Sequence, residues 1–347
     1  MRLWAPFWPG LTLAILSGMA AGSAMLPMKL VRRWEWENTW LVFSCVSQVI
    51  VPGCLALVLV RDLFAVYKSV SASQLAIPAL LGVGWGFGNV LFGLAIARLG
   101  LALGYAIIMG SVAVLGTLLP LARQSHESLL SPGGVVVLSG VAMMAAGIGV
   151  SGWAGRLREL ASLGQGGTKK KDGYCVSLLL VIGCGVLSPM LNYSFVWGGH
   201  IAAAAVRLGN SSLSAVYAVW PVTLAGGFLT NLAYCVFLLW KNGTWTLFKA
   251  GRRDAAAAVV MAALWIGSIS LYGMAAVSLG LLGTSVGWGL VQAIAIITAD
   301  LAGLWSGEWT ASPRRARRLL LAGVAMLTLA TVVLATGNRI QTGVTGQ

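Results

Sequence analysis

Residues 85–100 read WGFGNVLFGLAIARLG, and residues 265–280 read WIGSISLYGMAAVSLG. Six of the sixteen aligned positions are identical, Phe92 answers Tyr272, and Gly88 answers Ser268. In a chain this rich in Gly, Ala and Leu, about two identities would arise by chance, so the stretch reads as an internal repeat. Both copies are apolar, and each is followed at once by another apolar segment. They read as equivalent helices in two halves of a membrane transporter.

The composition agrees. Of 347 residues, 58% are hydrophobic and only 9% are charged, against about a quarter charged in a soluble domain. The 45 glycines allow helices to approach closely where no hydrophobic effect drives their association. The net charge of +14 does not point to nucleic acid, because the basic residues fall in short connections between apolar runs, where they set topology. The five cysteines lie in or beside apolar runs and form no CxxC pair, which argues against disulfides and a metal site. The first apolar run, with Trp8 and Pro9 at its front, suits a membrane helix better than a cleaved leader.

A membrane span needs about 20 apolar residues. Ten segments qualify: 10–28, 39–60, 75–97, 101–121, 135–153, 174–197, 216–240, 255–277, 281–305 and 319–336. The expected fold is therefore an all-α membrane protein with ten transmembrane helices. The polar stretch 156–173, RLRELASLGQGGTKKKDG, is expected as a cytoplasmic linker between a first five-helix repeat, 1–155, and a second, 174–347. Five is odd, so the second half starts on the opposite side of the membrane, and two like halves make inverted five-helix repeats with substrate bound near the midplane. One set of alternate connections carries 17 of the 23 Lys and Arg, and the other side with both termini carries 6. The positive-inside rule places the first set in the cytoplasm and both termini outside.

No enzyme motif is present, and no cofactor is expected. His126 and His200 fall in expected outside connections without a Cys or carboxylate set nearby. Asp300 is the one acid inside an expected span, where an acid is a functional candidate by default. Two roles stay open for it: carrying a proton, or pairing near the cytoplasmic surface with the basic cluster at 314–318. Trp85 and Asn89 share a helix face at i, i+4, as do Trp288 and Gln292; Trp265, Ser268 and Tyr272 share one at i, i+3, i+7. With Ser188, Asn192 and Tyr193 in the sixth segment and Gln48 in the second, these neutral groups beside flat rings suit a neutral hydroxylated ligand. Each amide could equally serve as an interhelical hydrogen bond. Trp34, Trp36, Trp40, Trp153, Trp240 and Trp305 read as interfacial anchors.

The run PMKLVRRWEWENTW at 27–40 resembles the helix 1–2 junction of the L-rhamnose–proton symporter family, and WGFGNVLFGLAIARLGLALG at 85–104 resembles its helix 3–4 segment. GTLLP at 116–120, HIAAAA at 200–205, Pro221 with Gly226, Gly227 and Asn231, and the aromatics Trp265, Tyr272 and Trp288 follow in the same order. The resemblance covers nearly the whole chain. It implies the drug/metabolite transporter superfamily, a bacterial inner membrane, and proton-driven import of L-rhamnose or a related neutral sugar. Positions matching the family are Pro27, Lys29, Trp34, Trp36, Glu37, Trp85, Asn89, Tyr272 and Trp288. The chain departs from it at Ser268, in the glycines flanking Trp288, and at Asp300. The expected sugar site is Trp85, Asn89, Ser188, Asn192, Trp265, Ser268, Tyr272, Trp288 and Gln292. The candidates for proton coupling are Asp300, Glu37 and Lys29. Expected partners are the sugar and the bilayer, with a monomer and a homodimer both open. The other readings are an exporter of drugs or metabolites and an uncoupled facilitator of the same superfamily.

Overall fold

A computed structural model describes residues 7–99, 101–124, 130–163 and 174–345, and every element among them is helical. In chain order the long helices are α1 (Phe7–Leu30), α2 (Trp36–Leu59), α3 (Ala72–Leu99), α4 (Leu101–Gln124), α5 (Pro132–Leu163), α6 (Leu179–Arg207), α7 (Ser212–Asn242), α8 (Arg252–Ser278), α9 (Gly280–Trp305) and α10 (Arg314–Thr345). Among the described residues, nine of these stretches are long and apolar enough to cross a membrane. In α4 the apolar part is the shorter Ile107–Ala122, below that length. Helices satisfy their own backbone polar groups, which a lipid interior requires.

The helices are not uniform rods. Helix α1 tightens into a 3-10 turn at Leu26–Leu30, where Pro27 enters, and α2 widens into a π-turn at Cys45–Ile50 ahead of Pro52. Helix α6 breaks after Leu187 and resumes at Met190, because Pro189 has no N–H to continue the ladder. The HIAAAA stretch, expected as a connection, continues α6 as Gly199–Arg207. Helix α5 runs to Leu163, so the first part of the expected linker is helical. His126 and the rest of that linker lie outside the described residues.

Packing follows the small residues. Gly133, Gly140 and Gly147 of α5 lie against Gln341, Leu334 and Leu327 of α10. Both series step by seven residues and run in opposite directions, so leucines of one helix fill the notches of the other. Gly82 and Gly86 of α3 meet the backbone of α7 around Thr223 and Gly227. Helix α1 packs on α8 and α9, and α6 packs on α3 and α4; α3 lies on α7, and α8 on α2; α4 lies on α5, and α9 on α10. The pairs α2 with α7, α4 with α9 and α5 with α10 complete the bundle.

Candidate functional site

Three groups of side chains converge between the helices. The first centres on Asn192, fully buried where the break in α6 turns it inward. Its Nδ2 donates to the Gly116 carbonyl of α4 at 2.7 Å and lies 3.3 Å from the Thr284 carbonyl of α9. The Tyr272 hydroxyl of α8 donates to Asn192 Oδ1, with the Thr284 carbonyl 3.0 Å away. The Trp288 indole N–H donates to the Val112 carbonyl of α4 at 3.1 Å, and its ring meets Tyr272 edge-on at 5.3 Å. Phe195 and Trp220 stack at 4.6 Å and close the far side of Tyr272. All these groups are neutral. An apolar cavity of about 230 Å³ adjoins them, lined by Phe195, Val216, Val219, Ala276 and Thr284 among others.

The second group joins the repeated tryptophans. Trp85 and Trp265 stack on each other, centroids 5.5 Å apart and 15° from parallel. Phe43 and Trp40 extend the series toward Trp36. Beside it, Asn231 of α7 accepts from the Trp40 indole at 3.1 Å and approaches Gln48 Oε1 at 3.4 Å. The Gln48 Nε2 is buried without a partner among the described residues, at the π-turn of α2, a feature frequent at functional sites.

The third is a cavity of about 530 Å³ between the end of α1, α5, α9 and the 306–313 connection. Asp300 and Ser151 both line it, and the Ser151 hydroxyl donates to Asp300 Oδ2 at 3.1 Å. At its rim Lys29 pairs with Glu308, and Arg158 approaches the same carboxylate at 3.4 Å. The hydrogen bond from Lys29 holds the Glu308 carboxyl below its ordinary value of 4.5.

The nine expected sugar ligands are therefore divided. Asn192, Tyr272 and Trp288 form one network. Trp85 and Trp265 form a separate stack. Ser268 bonds to Ser17 of α1 at 3.1 Å, and Ser188 approaches Cys184 at 3.4 Å. Asn89 is half-buried and Gln292 is 8% exposed, and neither amide has a hydrogen-bond partner among the described residues. None of the nine lines the larger cavity, whereas Asp300 and Lys29 do. Asp300 does not pair with the cluster at 314–318.

Glu37 lies elsewhere. It accepts from Asn242 and Thr244 and ties the start of α2 to the α7–α8 connection. Asp254, in the first turn of α8, accepts the backbone N–H groups of Arg32, Arg33 and Trp34 at 2.9–3.2 Å. Spans bounded by hydropathy alone left Glu37 and Asp254 outside; the helices start earlier, and both acids are nearly fully buried. Trp34 is also more than an anchor, since it is buried and bonds the Leu247 carbonyl at 3.0 Å. Trp153, Trp240 and Trp305 stand exposed, at 60%, 83% and 94%. Sequence reasoning missed Ser17, Phe195 and Trp220 as neighbours of the candidates. A polar or aromatic residue in an apolar run has no local cue to the helix it will face.

Comparison with known proteins bears on the whole assembly. Residues 9–340 match the family described as L-rhamnose-proton symport protein (RhaT). The chain is 27% identical over 332 residues to an L-rhamnose-proton symporter of Klebsiella pneumoniae (strain 342), covering 93% of this chain and 96% of that one. It is 26% identical over 345 residues to one of Pectobacterium atrosepticum (96% and 99% covered), and 28% over 338 residues to one of Cronobacter sakazakii (94% and 97%).

Proposed function

The chain belongs to the L-rhamnose-proton symport protein family, and from that premise we propose how it binds and moves its sugar. It is a multi-pass membrane transporter, a proton-coupled importer of L-rhamnose and not an enzyme. The observation that carries the site assignment is the neutral network of Asn192, Tyr272 and Trp288, which joins α4, α6, α8 and α9 without a fixed charge. Hydroxyls of a neutral pyranose replace the internal partners of the Asn192 amide and the Tyr272 hydroxyl, and the Trp288 ring covers its apolar face. The adjoining apolar cavity beside Phe195 and Val219 suits the methyl group of a 6-deoxy sugar.

The helices form two inverted five-helix repeats, residues 1–155 and 174–347. Support comes from the helix packing, whose pairs map onto one another when each helix is exchanged with its counterpart five places along. The pair α1 with α8 becomes α6 with α3, and α3 with α7 becomes α8 with α2. Exchange also carries Trp85 onto Trp265, and these two stack on each other. Rocking the halves opens the network alternately to each side. The bilayer is the bacterial inner membrane, with both termini periplasmic.

Calorimetric titration of the purified protein with L-rhamnose, L-fucose and D-glucose tests this reading. Saturable binding of L-rhamnose alone, lost in Asn192→Ala, is the expected result. Unchanged affinity in both Asn192→Ala and Trp288→Ala would show that the sugar sits elsewhere.

A further inference from the structure

We propose that Asp300 is the carboxyl that carries the coupled proton, and that the cavity beside it is the cytoplasmic half of the proton's path. The proposal rests on the symport reading and names a residue for it.

Asp300 is half-buried in α9, five residues from the helix end at Trp305. A carboxylate at such a depth is costly without a partner, so acids there pair, ligate or exchange protons. The charged groups around this cavity are Lys29 of α1, Arg158 and Glu159 of α5, and Glu308 of the 306–313 connection; α4, α8 and α10 bring none to it among the described residues. Both cations are already engaged with Glu308, and Arg158 also lies over the Trp309 ring at 5.0 Å. Glu159 is engaged with Arg156 at 3.3 Å. Asp300 therefore has no fixed counter-ion within the described residues. Its one hydrogen-bond partner there is Ser151 on Oδ2, which leaves Oδ1 to the cavity. A group with a single neutral partner, no cation and an open space of about 530 Å³ beside it has what reversible protonation needs. The two carboxylates in helix first turns lack this, since Glu37 accepts from two side chains and Asp254 from three backbone N–H groups.

In the step itself, the protonated Asp300 gives its O–H proton to water in the cavity, leaving a carboxylate and a hydronium ion. No other bond changes. The Glu308 bridge to Lys29 and Arg158 lies across the rim, so exit to the cytoplasm passes this ion group.

The test uses the full chain in proteoliposomes, with Asp300→Asn as the near-isosteric variant. Two readouts separate the coupling from the sugar site: L-rhamnose counterflow, which needs no net proton movement, and accumulation driven by an imposed pH gradient. Wild type accumulates about tenfold per pH unit for one proton per sugar. Asp300→Asn is expected to fall to a ratio of about one while counterflow persists. Wild-type accumulation by Asp300→Asn overturns the assignment and leaves the symport reading standing. Absence of L-rhamnose counterflow in wild type overturns the symport reading and the assignment with it. If the variant loses both activities, carbodiimide labelling of wild type decides. An adduct on Asp300 that grows as the pH falls supports the role; no adduct at any pH from 5 to 8 overturns it.

Discussion

Tyr272 carries the sharpest residue-level expectation. Its hydroxyl is a donor to a fully buried amide oxygen, and its ring contacts both Trp288 and Phe195. Tyr272→Phe keeps the ring and removes the donor. Leaving Asn192 Oδ1 without that partner costs about 1–3 kcal/mol, read as a lower melting temperature. If the sugar uses the same hydroxyl, L-rhamnose affinity falls about tenfold as well, or 1.4 kcal/mol. Calorimetry and thermal unfolding on one sample separate the two effects. Glu308 gives a prediction in pH. Its carboxyl lies below 4.5 in the folded protein because Lys29 hydrogen-bonds it. A depressed carboxyl stabilises the fold above its ordinary value and loses that contribution as the pH falls through the lowered one. Wild type is therefore expected to melt above Glu308→Gln near neutrality, and the gap closes as the solution is acidified below 4.5. A gap that persists unchanged into acid would exclude the ion pair as its source. Bulk counts of charge made the acids easy to find in the sequence. Which of them has one partner and which has several depended on residues far away in the chain, 221 positions for Asp254 and Arg33 and 149 for Asp300 and Ser151.

At the level of elements, glycine position decides packing. A Cβ on Gly140 would lie 2.9–3.1 Å from Leu334, inside the α5–α10 seam, whereas a Cβ on Gly149, in the same helix, meets nothing within 4 Å. Gly140→Leu is expected to destabilise by about 1–3 kcal/mol, or to force the helices apart. Gly149→Ala should stay within about 0.5 kcal/mol of wild type. Thermal unfolding of both variants, with membrane yield as a second measure, checks the contrast. Equal losses would mean that the seam is not what the glycines serve. The helices themselves were largely legible, because a run of apolar residues is a local property. Their ends were not. Helix α2 starts at Trp36, three residues before the expected span, and α6 extends to Arg207, ten beyond it. Hydropathy falls where polar groups begin, but a helix continues while its end groups find partners, as Glu37 does in Asn242 and Thr244.

For the whole molecule, the uneven placement of Lys and Arg implies an orientation that can be tested directly. In a cysteine-free background, Ser212→Cys places a thiol at the start of α7 and Lys249→Cys places one in the α7–α8 connection beyond its other end, both at exposed positions. A membrane-impermeant maleimide added to intact cells should label the first and spare the second until the membrane is opened. The reverse pattern would invert the topology and put the cavity beside Asp300 on the outside.

The sequence by itself determined the membrane class, the approximate segments and the family. These follow from transfer energies that add residue by residue and from patterns that recur along the chain. It also marked Asn192, Tyr272 and Trp288 as unusual, because a polar or wide aromatic group in an apolar run is conspicuous. Only the tertiary structure decided that Asn192 reaches Gly116, that Trp85 faces Trp265, that Asp254 holds the α1–α2 connection, and that Asp300 meets Ser151 beside a cavity while Lys29 and Arg158 turn to Glu308. Each of these pairs joins residues from different helices. Periodicity says which face of a helix a residue occupies, but which face of which neighbour it meets is set by how glycine notches and side-chain volumes fit together across the bundle.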